Sequence, residues 1–110
     1  MRDLHSYEKP LILFLLERAN LALSLDDIKA IPLNDGGMGS LQFCSSHTQN
    51  RRLGKTPSEC TFRDKDNTEV LAFLNLDQNG QLFELDIFKV DFSPLLQWPT
   101  QQELQDANPL

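Results

Sequence analysis

The chain is predicted to be an α+β domain, in which an N-terminal helix packs on an antiparallel β-sheet of about four to five strands and a short helix follows. The main observation is a hairpin. Val70–Leu76 and Leu82–Phe92 are alternating apolar runs, joined by the Asn79-Gly80 pair that is typical of a two-residue turn. The second observation is a strongly apolar stretch at helical spacing within residues 6–20, which predicts a helix lying against that sheet.

Composition limits the domain count and the classes of partner. A chain of 110 residues with 40% hydrophobic residues suits one globular domain, residues 1–110. The formal net charge is −6, and residues 69–110 contain one lysine against seven acidic residues. A field of that sign repels phosphates and attracts cations. Direct nucleic-acid binding is therefore not expected, and a basic protein partner is favoured.

The sequence predicts a cytoplasmic protein without a membrane segment. The longest apolar run, Leu11–Leu16, is far shorter than the roughly 20 residues that span a bilayer. It lacks the basic region and the cleavage site of a signal peptide. Cys44 and Cys60 fall within strand-like segments, and two thiols are too few for a secreted disulfide scaffold, so both are predicted to be buried and free.

The N-terminal helix has start and stop signals. Ser6 is the predicted N-cap, Glu8 suits the positive end of the helix dipole, and Pro10 is tolerated in a first turn. Asn20 is the predicted stop. Residues 21–27 fit either an extension of the helix or a connection.

Three more strands are predicted between this helix and the hairpin. They cover residues 28–33, 40–46 and 60–64. Residues 47–58 are polar and basic, which predicts a mobile loop, and residues 65–68 form a turn. At the other end of the chain, Thr100 and Glu103 have the spacing of a capping box, which predicts the short C-terminal helix.

A glycine-rich loop lies between the first two of these strands. Three glycines in four positions indicate backbone angles that other residues avoid, or close approach of other atoms. Such a loop can also present N–H groups to an anion, although the Gly-Lys-Ser/Thr of a phosphate loop is missing. The candidate ligand-binding residues are Asp35, Gly36, Gly37, Gly39 and Ser40.

The hairpin turn predicts a register for its two strands. The predicted core-face pairs are Leu76 with Phe83, Leu74 with Leu85, and Ala72 with Ile87. The predicted pairs of the opposite face are Asp77 with Leu82, Asn75 with Glu84, and Phe73 with Asp86. Ile87 and Phe88 are both apolar, so a β-bulge is predicted there. That bulge would place Lys89 on the polar face.

No constellation of residues indicates catalysis, a metal or a cofactor. His5 and His47 do not lie in a motif with a cysteine or serine, and no Cys/His spacing matches a zinc site. Residues 64–75 resemble a calcium loop only at their start, because Glu69 stands where that loop needs glycine. A hydrolase using Glu84 and Asp86 is the least favoured hypothesis, and the chain is predicted not to be an enzyme.

Two strings carry a resemblance to a known family. DGGMGSLQF (Asp35–Phe43) and LFELDIFKVDFSPL (Leu82–Leu95) resemble a family of small, uncharacterised bacterial domains. More loosely, a short acidic α+β chain of this kind resembles the immunity proteins of polymorphic toxin systems, including contact-dependent growth inhibition. That resemblance implies binding to a cognate toxin domain, often a basic nuclease, and inhibition of it.

The candidate partner-binding site is the acidic face of the hairpin, where carboxylates stand beside large apolar residues. It comprises Asp77, Glu84, Asp86 and Asp91, with Phe73, Leu82 and Phe88 as anchors. The leading hypothesis is a cytoplasmic immunity protein that neutralises a basic toxin domain through this face. The alternative is a small-ligand or regulatory module that uses the glycine loop. Two points stay open: whether the basic stretch 51–65 is the contact surface instead, and the oligomeric state.

Overall fold

The computed structural model describes residues 1–45 and 50–108. Its elements are β1 (Arg2–Asp3), α1 (Lys9–Arg18), β2 (Lys29–Pro32), β3 (Leu41–Phe43), β4 (Leu53–Arg63), β5 (Glu69–Asp77), β6 (Leu82–Lys89) and α2 (Gln101–Ala107). The strands form one antiparallel sheet in the order β1-β2-β3-β6-β5-β4. The predicted α+β class is confirmed, but the sheet has six strands rather than four to five. His47 lies outside the described residues.

Strand β4 is longer than predicted, and this is the largest difference between the predicted and the observed elements. The predicted loop through residue 58 is wrong from Leu53 onward, because β4 already pairs with β5 there. It is an edge strand whose inward side chains are buried only at Ser58, Cys60 and Phe62. An edge strand that is mostly solvated shows little apolar alternation, so its sequence looks like a loop. The basic stretch is therefore mainly a strand.

Helix α1 differs from its prediction at the first turn. The predicted N-cap Ser6 is wrong: the N-cap is Glu8, which makes no side-chain capping hydrogen bond, and Pro10 lies in the first turn as predicted. Asn20 has the positive φ of 57° expected of a stop residue. Residues 21–27 form a connection rather than more helix. The helix buries Leu11, Ile12, Phe14, Leu15 and Leu16.

The predicted capping box of α2 is confirmed. The Thr100 side chain accepts a hydrogen bond from the Glu103 N–H, and the Glu103 carboxylate accepts one from the Thr100 N–H. Leu104 is completely buried. Both helices pack on the same side of the sheet, since α1 contacts β4 and β5 and α2 contacts β4 and α1. The opposite side of the sheet is covered by no helix in the part of the chain that the structure describes.

The hairpin register is mostly as predicted. Leu74 pairs with Leu85 and Ala72 with Ile87 on the core face, and Asn75 with Glu84 and Phe73 with Asp86 on the other. At the turn end, Leu76 pairs with Leu82 instead of Phe83 because the register shifts after Asn75. The bulge predicted at Ile87 and Phe88 is wrong. The alternation continues through Lys89, which points into the core and is fully buried.

Gly54 is the position in β4 where a side chain is excluded. A Cβ atom built on Gly54 would lie 2.3 Å from the main-chain carbonyl oxygen of Asp77. Gly54→Ala must therefore push β4 away from the end of β5, and we expect it to lower the free energy of unfolding by about 2 kcal/mol. Urea denaturation measures this. The control is Lys55→Ala at the adjacent exposed position, and equal midpoints for both variants would contradict the expectation.

Candidate interaction surface

The side of the sheet that no helix covers is called the open face here. Its central residues alternate with the core residues of β5 and β6 and are aligned by the register. They are Leu71, Phe73 and Asn75 of β5, and Glu84, Asp86 and Phe88 of β6. Glu59 and Thr61 of β4 and Gln42 of β3 flank them as direct cross-strand partners. All are half-buried or exposed except Asn75, which is buried.

Glu84 and Asp86 form the acidic centre of the open face. One Asp86 oxygen accepts a hydrogen bond of 2.7 Å from the Asn75 amide, whose oxygen accepts one of 2.8 Å from the Thr56 hydroxyl. Among residues 1–45 and 50–108, no lysine or arginine forms an ion pair with either carboxylate. The hydrogen bonds therefore fix the position of Asp86 without neutralising its charge.

The surroundings of Glu84 shift its pKa, and titration can measure that shift. Partial burial and the neighbouring Asp86 charge raise the pKa of Glu84 above its ordinary value of 4.5. We expect NMR titration of the Glu84 carboxyl to give a midpoint above 4.5, and Asp86→Asn to lower that midpoint because one repulsive charge is gone. An unchanged midpoint in Asp86→Asn would assign the whole shift to burial.

Phe73 and Phe88 both lie on the open face, Phe73 in its predicted register and Phe88 because the predicted bulge is absent. Phe73 stands opposite Asp86, and Phe88 stands opposite Leu71 one step along the ladder. Both residues are half-buried, and the register places the carboxylates directly beside their rings. Leu82 does not join them: it packs against the hydrophobic core next to the register shift, and is corrected from surface anchor to core neighbour.

Asp77 is also removed from the predicted binding site. Its side chain is fully buried and forms an ion pair of 3.0 Å with Arg51. Its other oxygen accepts hydrogen bonds of 2.8 Å from the Asn79 N–H and 3.0 Å from the Gln81 N–H. Burial opposes ionisation, but the Gln81 N–H and the Arg51 guanidinium outweigh it and lower the pKa of Asp77. Asp77 closes the hairpin turn and is not available to a partner.

Asp91 lies beyond the end of β6 in an exposed turn. Its Oδ1 accepts hydrogen bonds from the Ser93 N–H at 3.0 Å and the Ser93 hydroxyl at 2.6 Å. These hydrogen bonds from Ser93 lower the pKa of Asp91. The carboxylate therefore stays charged and exposed where the chain leaves the sheet.

Lys89 forms a buried ionic cluster. The sequence pattern did not predict this cluster, because the predicted bulge placed the lysine on the polar face. Its Nζ lies 2.8 Å from Asp64 Oδ2 and 2.8 Å from Asp66 Oδ2. The Asp64 carboxylate also accepts hydrogen bonds of 2.8 and 3.0 Å from the N–H groups of Leu96 and Gln97. The cluster ties the β4–β5 turn to the segment after β6. The sequence signal for this cluster was a lysine at an inward-facing position of a strand whose inward and outward residues alternate without a break.

The glycine loop is organised around its own carboxylate. Asp35 accepts hydrogen bonds of 3.1 Å from the Met38 N–H and 2.9 Å from the Ser40 N–H. The Ser40 hydroxyl is buried and bonds to the Ile87 main chain. Positive φ angles occur at Gly36, Gly37 and Gly39. An external anion would compete with Asp35 for two of the loop amides, so the arrangement favours shaping of the backbone over ligand binding.

Three general features of the described residues bear on function. No helix within residues 1–45 and 50–108 has the length and apolarity needed to cross a membrane. The same part of the chain contains no group of three or more His, Cys, Asp or Glu side chains placed to hold a metal ion. Both cysteines are free thiols; Cys60 is buried as predicted, whereas Cys44 is only half-buried because it lies just past the end of β3. Burial raises the pKa of Cys60 to about 11, which makes it an unreactive thiol.

Comparison with known proteins gives a family but no activity. A family model described as "Domain of unknown function (DUF6984)" matches residues 1–99. This range contains the open face, the glycine loop and the Lys89 cluster. No curated protein and no solved structure matches the chain.

Proposed function

We propose that this chain, which belongs to the DUF6984 family, is an immunity protein that binds a basic toxin domain through the open face of its sheet. The supporting observation is the centre of that face. Two carboxylates without an ionic partner in the described chain, Glu84 and Asp86, lie beside the half-buried side chains of Phe73 and Phe88.

This arrangement has the chemistry of a protein interface. Aromatic side chains at the centre of an interface supply most of its affinity when they enter pockets and lose water. Unpaired carboxylates beside them select a cationic partner and accelerate its association. The formal charge of −6 adds attraction over a longer range.

A toxin that cleaves nucleic acid is the partner class that this face fits best. Such an enzyme needs a cationic surface to bind phosphates. Glu84 and Asp86 present negative charge at a fixed spacing on a rigid strand, so they can occupy cations that would otherwise bind the substrate. Inhibition would then take place in the cytoplasm, where the toxin meets its nucleic acid.

Affinity capture followed by kinetics tests the proposal. The tagged full chain is used as bait in a lysate of the cell that encodes it, and the captured protein is purified and sequenced. We expect a basic protein whose gene neighbours that of this chain, and whose toxicity is suppressed when both are co-expressed. Its association rate should fall at least roughly tenfold between 0.05 and 0.5 M salt, because screening weakens electrostatic steering.

Two results would contradict the proposal. One is that repeated capture experiments retrieve no basic protein. The other is an association rate that does not depend on salt, since that would show that the acidic face does not steer the encounter.

A further inference from the structure

Phe92 has an unusual backbone and an unusual exposure. It follows β6 with a φ of 63°, in the left-handed region that glycine and asparagine favour and bulky residues avoid. Its N–H donates a 2.9 Å hydrogen bond to the Lys89 carbonyl, which closes a four-residue turn. The residue is 71% exposed. The turn therefore holds a large aromatic residue in a strained conformation without burying it.

The segment that carries Phe92 is held in place from both sides. The Lys89 Nζ lies 3.2 Å from the Pro94 carbonyl oxygen, and its ionic cluster fixes the chain before and after the turn. Between them, Asp91 accepts two hydrogen bonds from Ser93. These contacts account for a defined position of Phe92, but none of them needs an aromatic side chain there.

Phe92 continues the open face. Its ring meets the ring of Phe88 edge-on, with 5.1 Å between centroids and 81° between planes. Phe88 in turn lies opposite Leu71 on the sheet. The apolar part of the open face thus extends past the end of β6 to the exposed Phe92, which adjoins Asp91 in the sequence.

We propose that Phe92 is the anchor of the partner interface, and that the partner offers an apolar pocket with arginine or lysine on its rim. This inference rests on the proposed function. A pre-positioned aromatic ring gains affinity because it loses little freedom on binding. The rim must be basic because Asp91 adjoins the ring, while the nearby Lys89 is buried and already paired.

The charges around Phe92 also favour a basic partner over a second copy of this chain as the occupant. Two copies meeting through this surface would bring their Glu84, Asp86 and Asp91 carboxylates towards each other. No exposed lysine or arginine of β6 or its following turn is present to offset that repulsion. A basic partner removes the repulsion instead.

Site-specific photocrosslinking in the full chain tests the anchor. p-Benzoylphenylalanine replaces Phe92, Phe73 or, as control, Leu13, which is exposed on the outer side of α1. We expect adducts with one and the same basic protein from positions 92 and 73 and none from 13. The residue attached to position 92 should lie among apolar residues with lysine or arginine nearby.

The other outcomes separate this inference from the proposed function. Adducts from position 73 without one from 92 overturn the anchor and leave the open face as the binding site. Absence of adducts from both positions counts against both ideas. Crosslinking to a second copy of the chain overturns both as stated.

Phe92→Gly provides a second, independent readout. Glycine suits the backbone angle, so we expect the melting temperature not to fall by more than about 2 °C. Affinity for the captured protein should fall at least roughly 30-fold, and Phe92→Tyr should restore most of it. A clear loss of melting temperature with unchanged affinity would assign Phe92 a structural role and overturn the proposal.

Discussion

Lys89→Met is expected to lower the melting temperature by on the order of 15 °C, because it leaves a buried carboxylate without its cation. The side chains of Lys89 and Asp64 are both fully buried, and 2.8 Å separates Lys89 Nζ from Asp64 Oδ2. Methionine fills much of the space but cannot neutralise Asp64. The second ion pair, to Asp66, is lost at the same time. Thermal unfolding followed by circular dichroism at pH 7 measures the change.

The matched control is Lys65→Met, at an exposed position between the two aspartates. It removes the same charge from the surface, so we expect a melting temperature within about 2 °C of the parent chain. Equal melting temperatures for both variants would show that the buried cluster contributes nothing to stability.

The pH dependence of stability tests the same cluster from another direction. Burial opposes ionisation of Asp64, but hydrogen bonds from Lys89 and the Leu96 N–H outweigh it, so the pKa of Asp64 lies below 3.8. Its stabilising contribution is complete above the unfolded pKa of about 3.9 and is lost as the pH falls through the lower folded value. We expect this loss to be smaller in Lys89→Met, and denaturant titrations from pH 6 to 2 measure it.

At alkaline pH, the dependence of the cluster's stabilising contribution on pH has the opposite sign. Burial disfavours the charged form of Lys89, but its hydrogen bonds to Asp64 and Asp66 raise the pKa of Lys89 above 10.5. Its contribution is complete below 10.5 and is lost as the pH rises through the folded pKa. The cluster therefore stabilises the chain across the neutral range and weakens only at its ends.

The parts of the fold that could be predicted are those with local signals. The Asn79-Gly80 turn, the alternation of β5 and β6, and the Thr100 capping box each depend on residues close in sequence. Strand β4 could not be predicted in full because its stability comes from pairing with β5, while most of its side chains face solvent. Strand β1 has two residues, which is too short for any periodicity.

The residues of the candidate site also divide into those that a local sequence pattern places correctly and those that it does not. Alternation alone placed Phe73 and Asp86 on one face, and the register confirms their alignment, while Phe88 joins that face because the predicted bulge is absent. Asp77 and Lys89 were misplaced because their environments depend on distant partners. Arg51 reaches Asp77 from 26 residues away, and Asp64 lies 25 positions before Lys89. A sequence read for local pattern assigns such charged residues to the surface.

Reversing the charge of the open face is expected to produce the largest change in partner affinity. In Glu84→Lys with Asp86→Lys, two cations replace the carboxylates that stand beside Phe73 and Phe88. Like charges facing each other across an interface cost several kcal/mol. We therefore expect affinity for the captured basic protein to fall at least roughly 100-fold. Biolayer interferometry at several salt concentrations measures the affinity and both rates.

The control applies the same change in charge to the other side of the molecule. Glu17→Lys with Asp106→Lys alters exposed positions of α1 and α2, on the side of the sheet opposite to the open face. Both double variants change the long-range field equally, so any shared loss of association rate reports the total charge. A loss confined to the Glu84 and Asp86 variant, and seen in the dissociation rate, places the contact on the open face. Equal affinities for the two variants would show that the partner senses only net charge and would remove these two carboxylates from the interface.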